Sequence, residues 1–328
     1  MAVRLGFIGI GGIAGAHLEG CRNNGIPVTA AFDIDKNRVK ERQEEYGIEH
    51  AVGSPQELAE HPDVDAVVVC SPQHVHLEGI EAACNAGKPL LTEKPLARTI
   101  DDAKKAVDLV EKAGVFAQIG FVRRYCPDWG AFKQLVEEGA IGRPVVWWMM
   151  GGGPGPGRSF FNQAHQGGGP MLDGMVHNYD FARYMWGEPT RVMGSCVRLH
   201  PVNTALDTGT GIIEFSEGDR HTVCNSWGMP EGVRSESVHN VLGPKGIFYF
   251  NDPDDAPPEG LDRAKEGYFV TKTEGGERHV HRYERWSMMD RQITDFVKAV
   301  EEKRPEAKAT MLDGLRAMEI ALKILGEL

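Results

Sequence analysis

The chain has 328 residues, 41% hydrophobic and 25% charged, a globular balance that excludes disorder and fits two domains. Its 36 Lys and Arg against 47 Asp and Glu leave a net charge of −11, which argues against nucleic acid as a partner. No apolar run approaches the ~18–20 residues that span a bilayer, and Met1–Leu5 enters a strand pattern with no basic leader. A cytoplasmic protein that binds neither membrane nor nucleic acid is therefore expected.

In chain order, Val3–Ile8 is an apolar strand run, followed by glycines and a helix through His17, Leu18 and Cys21. Val28–Phe32 is a second strand ending at Asp33, and Ser54-Pro55-Gln56-Glu57 has the form of a capping box opening a short helix. Asp65–Cys70 is a β-branched run of the kind buried on both faces of a parallel sheet. A helix near Leu77–Asn85 leads to a strand over Lys88–Thr92. Thr99 caps a helix carrying Ala103, Ala106, Val107 and Val110, Gly114 ends it, and Phe116–Phe121 is the next strand. This alternation predicts a doubly wound parallel sheet in a dinucleotide-binding domain over 1–122.

The texture then changes. Pro144–Met150, Arg191–Leu199, Thr210–Phe215, His221–Ser226 and Ser237–Leu242 follow one another as strands, predicting an α+β domain over 123–328 with a large, mostly antiparallel open sheet. Asn251–Gly267 reads as a surface loop. One closing amphipathic helix carries Trp286, Met289, Ile293, Phe296, Val297 and Val300, and another carries Leu315, Met318, Leu322 and Leu325. The six cysteines form no C-x-x-C pair and read as reduced thiols. His74-x-His76 lacks an acid or thiol nearby, so no metal site is expected.

Gly9-Ile10-Gly11-Gly12-Ile13-Ala14 fits G-x-G-x-x-G/A between the first strand and the first helix. Gly9 allows the tight turn and Gly11 the approach of a pyrophosphate. Gly12 and Ile13 open the helix whose N–H groups face it, and Ala14 permits close helix–strand packing. Asp33, 22 residues after Gly11, stands where an acid binds the ribose hydroxyls of NAD. A 2′-phosphate beside that carboxylate would cost on the order of 1–4 kcal/mol, so NAD is favoured over NADP, with Lys36 and Arg38 softening the preference. Lys94, in Glu93-Lys94-Pro95, follows a strand of the parallel sheet on the ligand side. Held there, its ammonium can hydrogen-bond a substrate hydroxyl; a surface lysine paired with Glu93 is the alternative.

Together, Gly9-x-Gly11-x-x-Ala14, Ser71-Pro72 with His76, and Glu93-Lys94-Pro95 resemble the Gfo/Idh/MocA oxidoreductases, which include glucose–fructose oxidoreductase and inositol dehydrogenase. Arg124-Tyr125-x-Pro127, Gly139-Ala140-Ile141-Gly142 and Gly169-x-x-x-Asp173-x-x-x-His177-x-x-Asp180 extend the likeness along the chain. The resemblance implies a Rossmann domain and places Ser71, Gln73, His76, Glu93 and Lys94 at the cofactor and Tyr125 near the substrate. It also implies homodimers or homotetramers. Gln73 stands where the family usually shows Asn.

Asp173 and His177 are four apart and on a helix would share one face. Histidine, with an ordinary pKa near 6.5, suits the acceptance of a hydroxyl proton, and Asp173 can orient it. Asp180 is a supporting acid or a helix surface charge. Glycine accounts for 40 residues, nine of them between Gly151 and Gly174, so that segment is expected to wrap something closely. Arg158, Asn162 and His165 in it are candidates for a hydroxyl-rich substrate, with solvated loop positions as the alternative. Trp147, Trp148 and Trp227 read as core or interface, and His279–Trp286 as an exposed strand at a subunit edge.

The combined expectation is an NAD-dependent dehydrogenase of a sugar, polyol or related hydroxyl, using Lys94, Asp173 and His177. Two other readings stay open. One is a redox-neutral glycosidase or lyase that oxidises a sugar transiently, with Tyr125 or His165 as the extra base; the other is a sugar sensor that binds NAD without chemistry.

Overall fold

The computed structural model describes residues 2–157 and 159–328. Its contacts divide the chain into two units: the residues up to Tyr125 with Ser287–Met318, and Cys126–Trp286 with Glu319–Leu328.

The first unit alternates β1 (Leu5–Ile8), α1 (Gly12–Asn23), β2 (Val28–Phe32), α2 (Lys36–Tyr46), β3 (His50–Ala51) and α3 (Pro55–Glu60). It continues with β4 (Ala66–Val69), α4 (His76–Asn85), β5 (Leu90–Thr92), α5 (Ile100–Ala113) and β6 (Ala117–Ile119). The strands form one six-stranded sheet in the order β3-β2-β1-β4-β5-β6, every pairing parallel. That order reverses between β1 and β4, which opens a crevice at their carboxyl ends where a nucleotide binds. β4 is Ala-Val-Val-Val and buried at every position, as a strand covered by helices on both faces must be. Local chemistry sets the helix ends. Asp35, Ser54 and Thr99 cap α2, α3 and α5 with side-chain oxygens, and Gly47 and Gly114 end α2 and α5 in the left-handed conformation.

Two helices close the chain, α8 (Met288–Glu301) and α9 (Met311–Leu325), after fourteen strands among the described residues. The sequence reading put α8 in the second domain, and the structure corrects this. Ile293 and Phe296 are fully buried in one cluster with Phe7, Leu18, Val68 and Leu91, and Ile293 Cγ2 would stand 3.1 Å from a Cβ at Gly20 of α1. Periodicity shows that a helix has an apolar face but not which sheet the face covers.

In the second unit α6 (Pro127–Glu137) and α7 (Val176–Trp186) accompany β7 (Val146–Gly152), β8 (Pro189–Val197), β9 (Thr208–Phe215) and β10 (Arg220–Ser226). β11 (Val238–Gly243), β12 (Gly246–Tyr249), β13 (Glu266–Thr273) and β14 (Arg278–Glu284) complete the set. They form one eight-stranded sheet, β14-β13-β12-β11-β7-β10-β9-β8. It is antiparallel except between β7 and β10, which run parallel from Val146↔Arg220 to Gly152↔Ser226. α6 and α7 cover it through aromatic packing: Trp129 lies 4.8 Å from Phe181 and 5.5 Å from Trp147, and Phe132 lies 5.3 Å from Phe248, between ring centroids. β12, β13 and α6 were absent from the sequence reading. The missed signal for α6 is Pro127 at its first position with Asp128 in the first turn. The exposed strand expected over His279–Trp286 falls on β14, the outermost strand. No helix among the described residues is long and apolar enough to cross a membrane.

Candidate active site

The glycine loop is built by contact as much as by conformation. Gly9 has φ +83°, and a Cβ there would stand 2.4 Å from the Ser71 backbone nitrogen, so the β1 and β4 ends can approach only across a glycine. Gly11 then caps α1 in extended backbone with no side-chain bond to the helix amides. Gly12 and Ile13 are exposed and Ala14 is buried. Helix N–H groups left open in this way attract an anion. The Ser71 hydroxyl, buried and without a hydrogen-bond partner, adds an unsatisfied group beside the loop. These features fit a dinucleotide pyrophosphate.

Asp33 stands at the end of β2, 7% exposed. Its Oδ2 accepts the Ile10 N–H at 2.9 Å and its Oδ1 the Asp35 N–H at 2.9 Å. It therefore braces the glycine loop. Arg38 Nη1 stands 3.4 Å from Oδ1, placing the softening charge that the sequence put there.

Lys94 leaves β5 through a cis bond to Pro95. Glu93 beside it is 5% exposed. Its Oε1 meets His17 Nε2 at 2.7 Å and its Oε2 accepts the Lys94 backbone N–H at 3.1 Å. A Cβ at Gly120 would stand 2.9 Å from that carboxyl carbon, so the carboxylate fits only against a glycine. Burial pushes the Glu93 carboxyl up, but the His17 hydrogen bond and the charges of His17 and Lys94 outweigh it, and the net pKa lies below the ordinary value. Its oxygens thus hold the Lys94 backbone and α1. His17 is the residue the sequence reading missed. Its only local sign is a polar side chain on the buried face of α1.

His76 is buried, with Nε2 2.7 Å from the Ser71 carbonyl and Nδ1 2.9 Å from the Pro95 carbonyl. It ties the turn after β4 to the segment carrying Lys94. Burial lowers its pKa. Gln73 is buried at the start of the adjoining 3₁₀ turn. Tyr125 gives its hydroxyl to Asp295 Oδ2 at 2.7 Å. Burial, then the Asp295 bond and charge, push its pKa far up.

In the second unit, Asp173 lies on a π-turn, Pro170–Gly174, and His177 on α7 beyond it. The Met175 N–H reaches back to the Pro170 carbonyl at 2.8 Å, five residues away. The expected single α-helix is therefore interrupted, and the i, i+4 rule does not carry across the junction. Such π-turns recur at functional sites. Gly169, at φ +82°, starts the turn where a Cβ would meet the Leu206 carbonyl at 2.6 Å. Asp173 and Asp180 are buried and His177 is half-buried, so Asp180 is no surface charge.

Most glycines of the segment face residues beyond it: a Cβ at Gly155 or Gly174 would strike Trp227, whereas one at Gly167 would strike Phe161 within the segment. Trp227 thus lies against the turn that carries Asp173. Trp147 is fully buried and stacks on His221 with centroids 3.9 Å apart. Asn162 is half-buried, and its Oδ1 is shielded from solvent without a hydrogen-bond partner. His165 is exposed, and Arg158 lies outside the described residues.

Residues 3–121 match the model of an oxidoreductase family with an NAD-binding Rossmann fold, and residues 129–249 match the GFO/IDH/MocA C-terminal domain. The chain is similar to myo-inositol 2-dehydrogenase of Thermotoga maritima, 30% identical over 318 residues covering 93% of this chain and 90% of that protein. It is also 30% identical to scyllo-inositol 2-dehydrogenase (NAD⁺) of Bacillus subtilis, over 75% of this chain and 73% of that one. Among solved structures, a probable dehydrogenase from Thermotoga maritima superposes with a TM-score of 0.76 at 28% identity, covering 99% and 97% of the two chains. Glycine loop, bracing aspartate, buried Glu-Lys-Pro and large second-unit sheet together identify the chain as a member of the Gfo/Idh/MocA oxidoreductase family, with the NAD-binding Rossmann fold in its first part.

Proposed function

We propose that the protein oxidises a ring hydroxyl of a cyclic polyol or sugar, using NAD. The observation that carries this reading is the hold on Lys94: a lysine pinned through its own backbone N–H by the buried Glu93–His17 pair, at the carboxyl end of a nucleotide-binding sheet. The inositol dehydrogenases among the relatives support the substrate class. When bound, on Gly9, Gly11 and the first turn of α1, NAD supplies the acceptor for the hydride that leaves the carbon. The Lys94 ammonium donates a hydrogen bond to the reacting oxygen and favours its alkoxide character. His177 takes the hydroxyl proton, oriented by Asp173, as the carbon–oxygen bond becomes a carbonyl. Asn162 Oδ1 is an acceptor for a second substrate hydroxyl. Asp33 makes NAD the preferred cofactor over NADP.

The protein works in the cytoplasm as a homodimer or homotetramer through the open face of the eight-stranded sheet. Light scattering is expected to exceed the 36.1 kDa of one chain. The chemistry is tested by incubating the protein with NAD and a panel of inositols, pyranoses and open-chain polyols while following NADH absorbance. Turnover with the cyclic polyols is the expected result. Substrate consumption without NADH accumulation would move the reading to redox-neutral chemistry.

A further inference from the structure

At the edge of the parallel sheet, away in sequence from the glycine loop and Lys94, three metal-ligating side chains converge. His50 lies in β3, His61 ends α3, and Asp63 sits in the turn before β4. β3 pairs with β2 through Ala30↔His50, and Thr29 of β2 donates its hydroxyl to the Asp63 carbonyl at 2.6 Å, which brings the turn alongside. One ligand atom from each residue lies within 4.8 Å of the others. We propose that these residues form a binding site for a divalent ion of the zinc, nickel or copper class, independent of the reaction above.

The detail that points to an ion is the relation between His50 and Asp63. His50 Nε2 is shielded from solvent and makes no hydrogen bond, yet it stands 3.4 Å from Asp63 Oδ2. Two ligands each about 2.0–2.1 Å from a tetrahedral ion are about 3.3–3.4 Å apart, so the pair already has the spacing of one edge of a coordination tetrahedron. The His50 and His61 rings are 4.4 Å apart between centroids and inclined at 36°, so a common ion can be reached by both. The Arg4 guanidinium grips the other Asp63 oxygen and steers Oδ2 toward His50. Glu49 stands at the rim, its Oε2 3.7 Å from His50 Nε2. Two imidazoles and a carboxylate suit borderline ions, not magnesium or calcium, which take oxygen ligands.

Two features weaken the site. Arg4 places a positive charge beside it, and the Asp63 N–H to His61 Nδ1 bond, 3.2 Å, must yield if His61 ligates through Nδ1. A micromolar site is therefore expected, well short of a structural zinc. Its effect is to fasten β3, only two residues long, to the α3–β4 turn.

Chelator-treated full-length protein titrated with Zn²⁺ in a calorimeter should bind one equivalent with micromolar affinity, and Mg²⁺ should give no signal. Co²⁺ should give the visible absorption of a tetrahedral site, and Zn²⁺ should raise the thermal midpoint by a few degrees. His50→Gln and, separately, His61→Gln should each lower Zn²⁺ affinity at least tenfold and abolish the Co²⁺ bands, while the metal-free melting curve stays near wild type. Absence of Zn²⁺ binding, or binding that survives unchanged in both variants, overturns the proposal.

Discussion

Glu93 and Asp33 in the first unit take partners on other elements as well as neighbouring backbone N–H groups, whereas Asp173 in the second stands on an irregular turn of the backbone. Asp33 takes the N–H of Ile10 and Asp35, and Glu93 takes His17 and the N–H of Lys94. Strand ends in a parallel sheet leave amides unpaired, and buried carboxylates are the natural acceptors for them. The second unit presents Asp173 on a π-turn packed against Trp227, next to a segment where Asn162 keeps an unsatisfied acceptor. The comparison teaches a division of labour. In the first unit two buried carboxylates are committed to holding one lysine and one loop, whereas in the second the shielded Asn162 Oδ1 keeps an unsatisfied acceptor.

The largest expected effect comes from removing what the first unit holds. Lys94→Ala should lower turnover at least about 10²-fold while NAD affinity stays within a few-fold. Near-normal turnover would remove the lysine from the chemistry. On the other side, His177→Gln keeps a hydrogen-bonding shape without the titration. It should cut turnover by roughly 10²-fold and flatten the acid limb of the pH–rate profile. A limb unchanged in that variant would shift proton acceptance to Asp173.

His17→Ala tests whether the hold itself matters. It leaves the Glu93 carboxylate buried with its strongest partner gone, and the urea midpoint should fall by an amount equivalent to about 2–3 kcal/mol. If positioning is its role, kcat should fall with KM for NAD little changed, and His17→Gln should recover part of the loss. A variant as stable and active as wild type would show the pair to be idle. Asp33→Ser should narrow the gap between NAD and NADP affinities by roughly tenfold. Tighter NADP binding by the wild type would contradict the reading of Asp33.

The gentlest effect is on stability against acid. His76 is depressed by burial. In Glu93 and Asp207 burial acts upward, but hydrogen bonds from His17, and from the N–H groups of Leu199 and His200, prevail and lower the pKa. A group depressed in the folded chain contributes stability above its unfolded pKa and loses it as pH falls, because the unfolded chain then binds the proton first. Stability should be level above about pH 6.5, decline gently below it as His76 comes into play, and fall steeply below about pH 4.5. Urea midpoints across that range check this, and a level midpoint down to about pH 5 would eliminate the His76 contribution.

Much of this protein was written locally in its sequence. The glycine loop, Asp33 at the end of β2, the Glu-Lys-Pro segment and the caps at Ser54 and Thr99 can each be recognised from residues within a few positions of one another. The caps also close by short-range hydrogen bonding. What the tertiary structure alone decided are the pairings between distant residues. His17 meets Glu93 across 76 positions, α8 returns to cover the first sheet rather than the second, and His50 comes beside His61 and Asp63. His76 spans two carbonyls, and the Asp173–His177 spacing runs through a π-turn. An amphipathic pattern or a motif spacing states what a segment can do, but not which surface will meet it. That choice is made when the whole chain packs, because burial free energy is shared among partners that no single stretch of sequence contains.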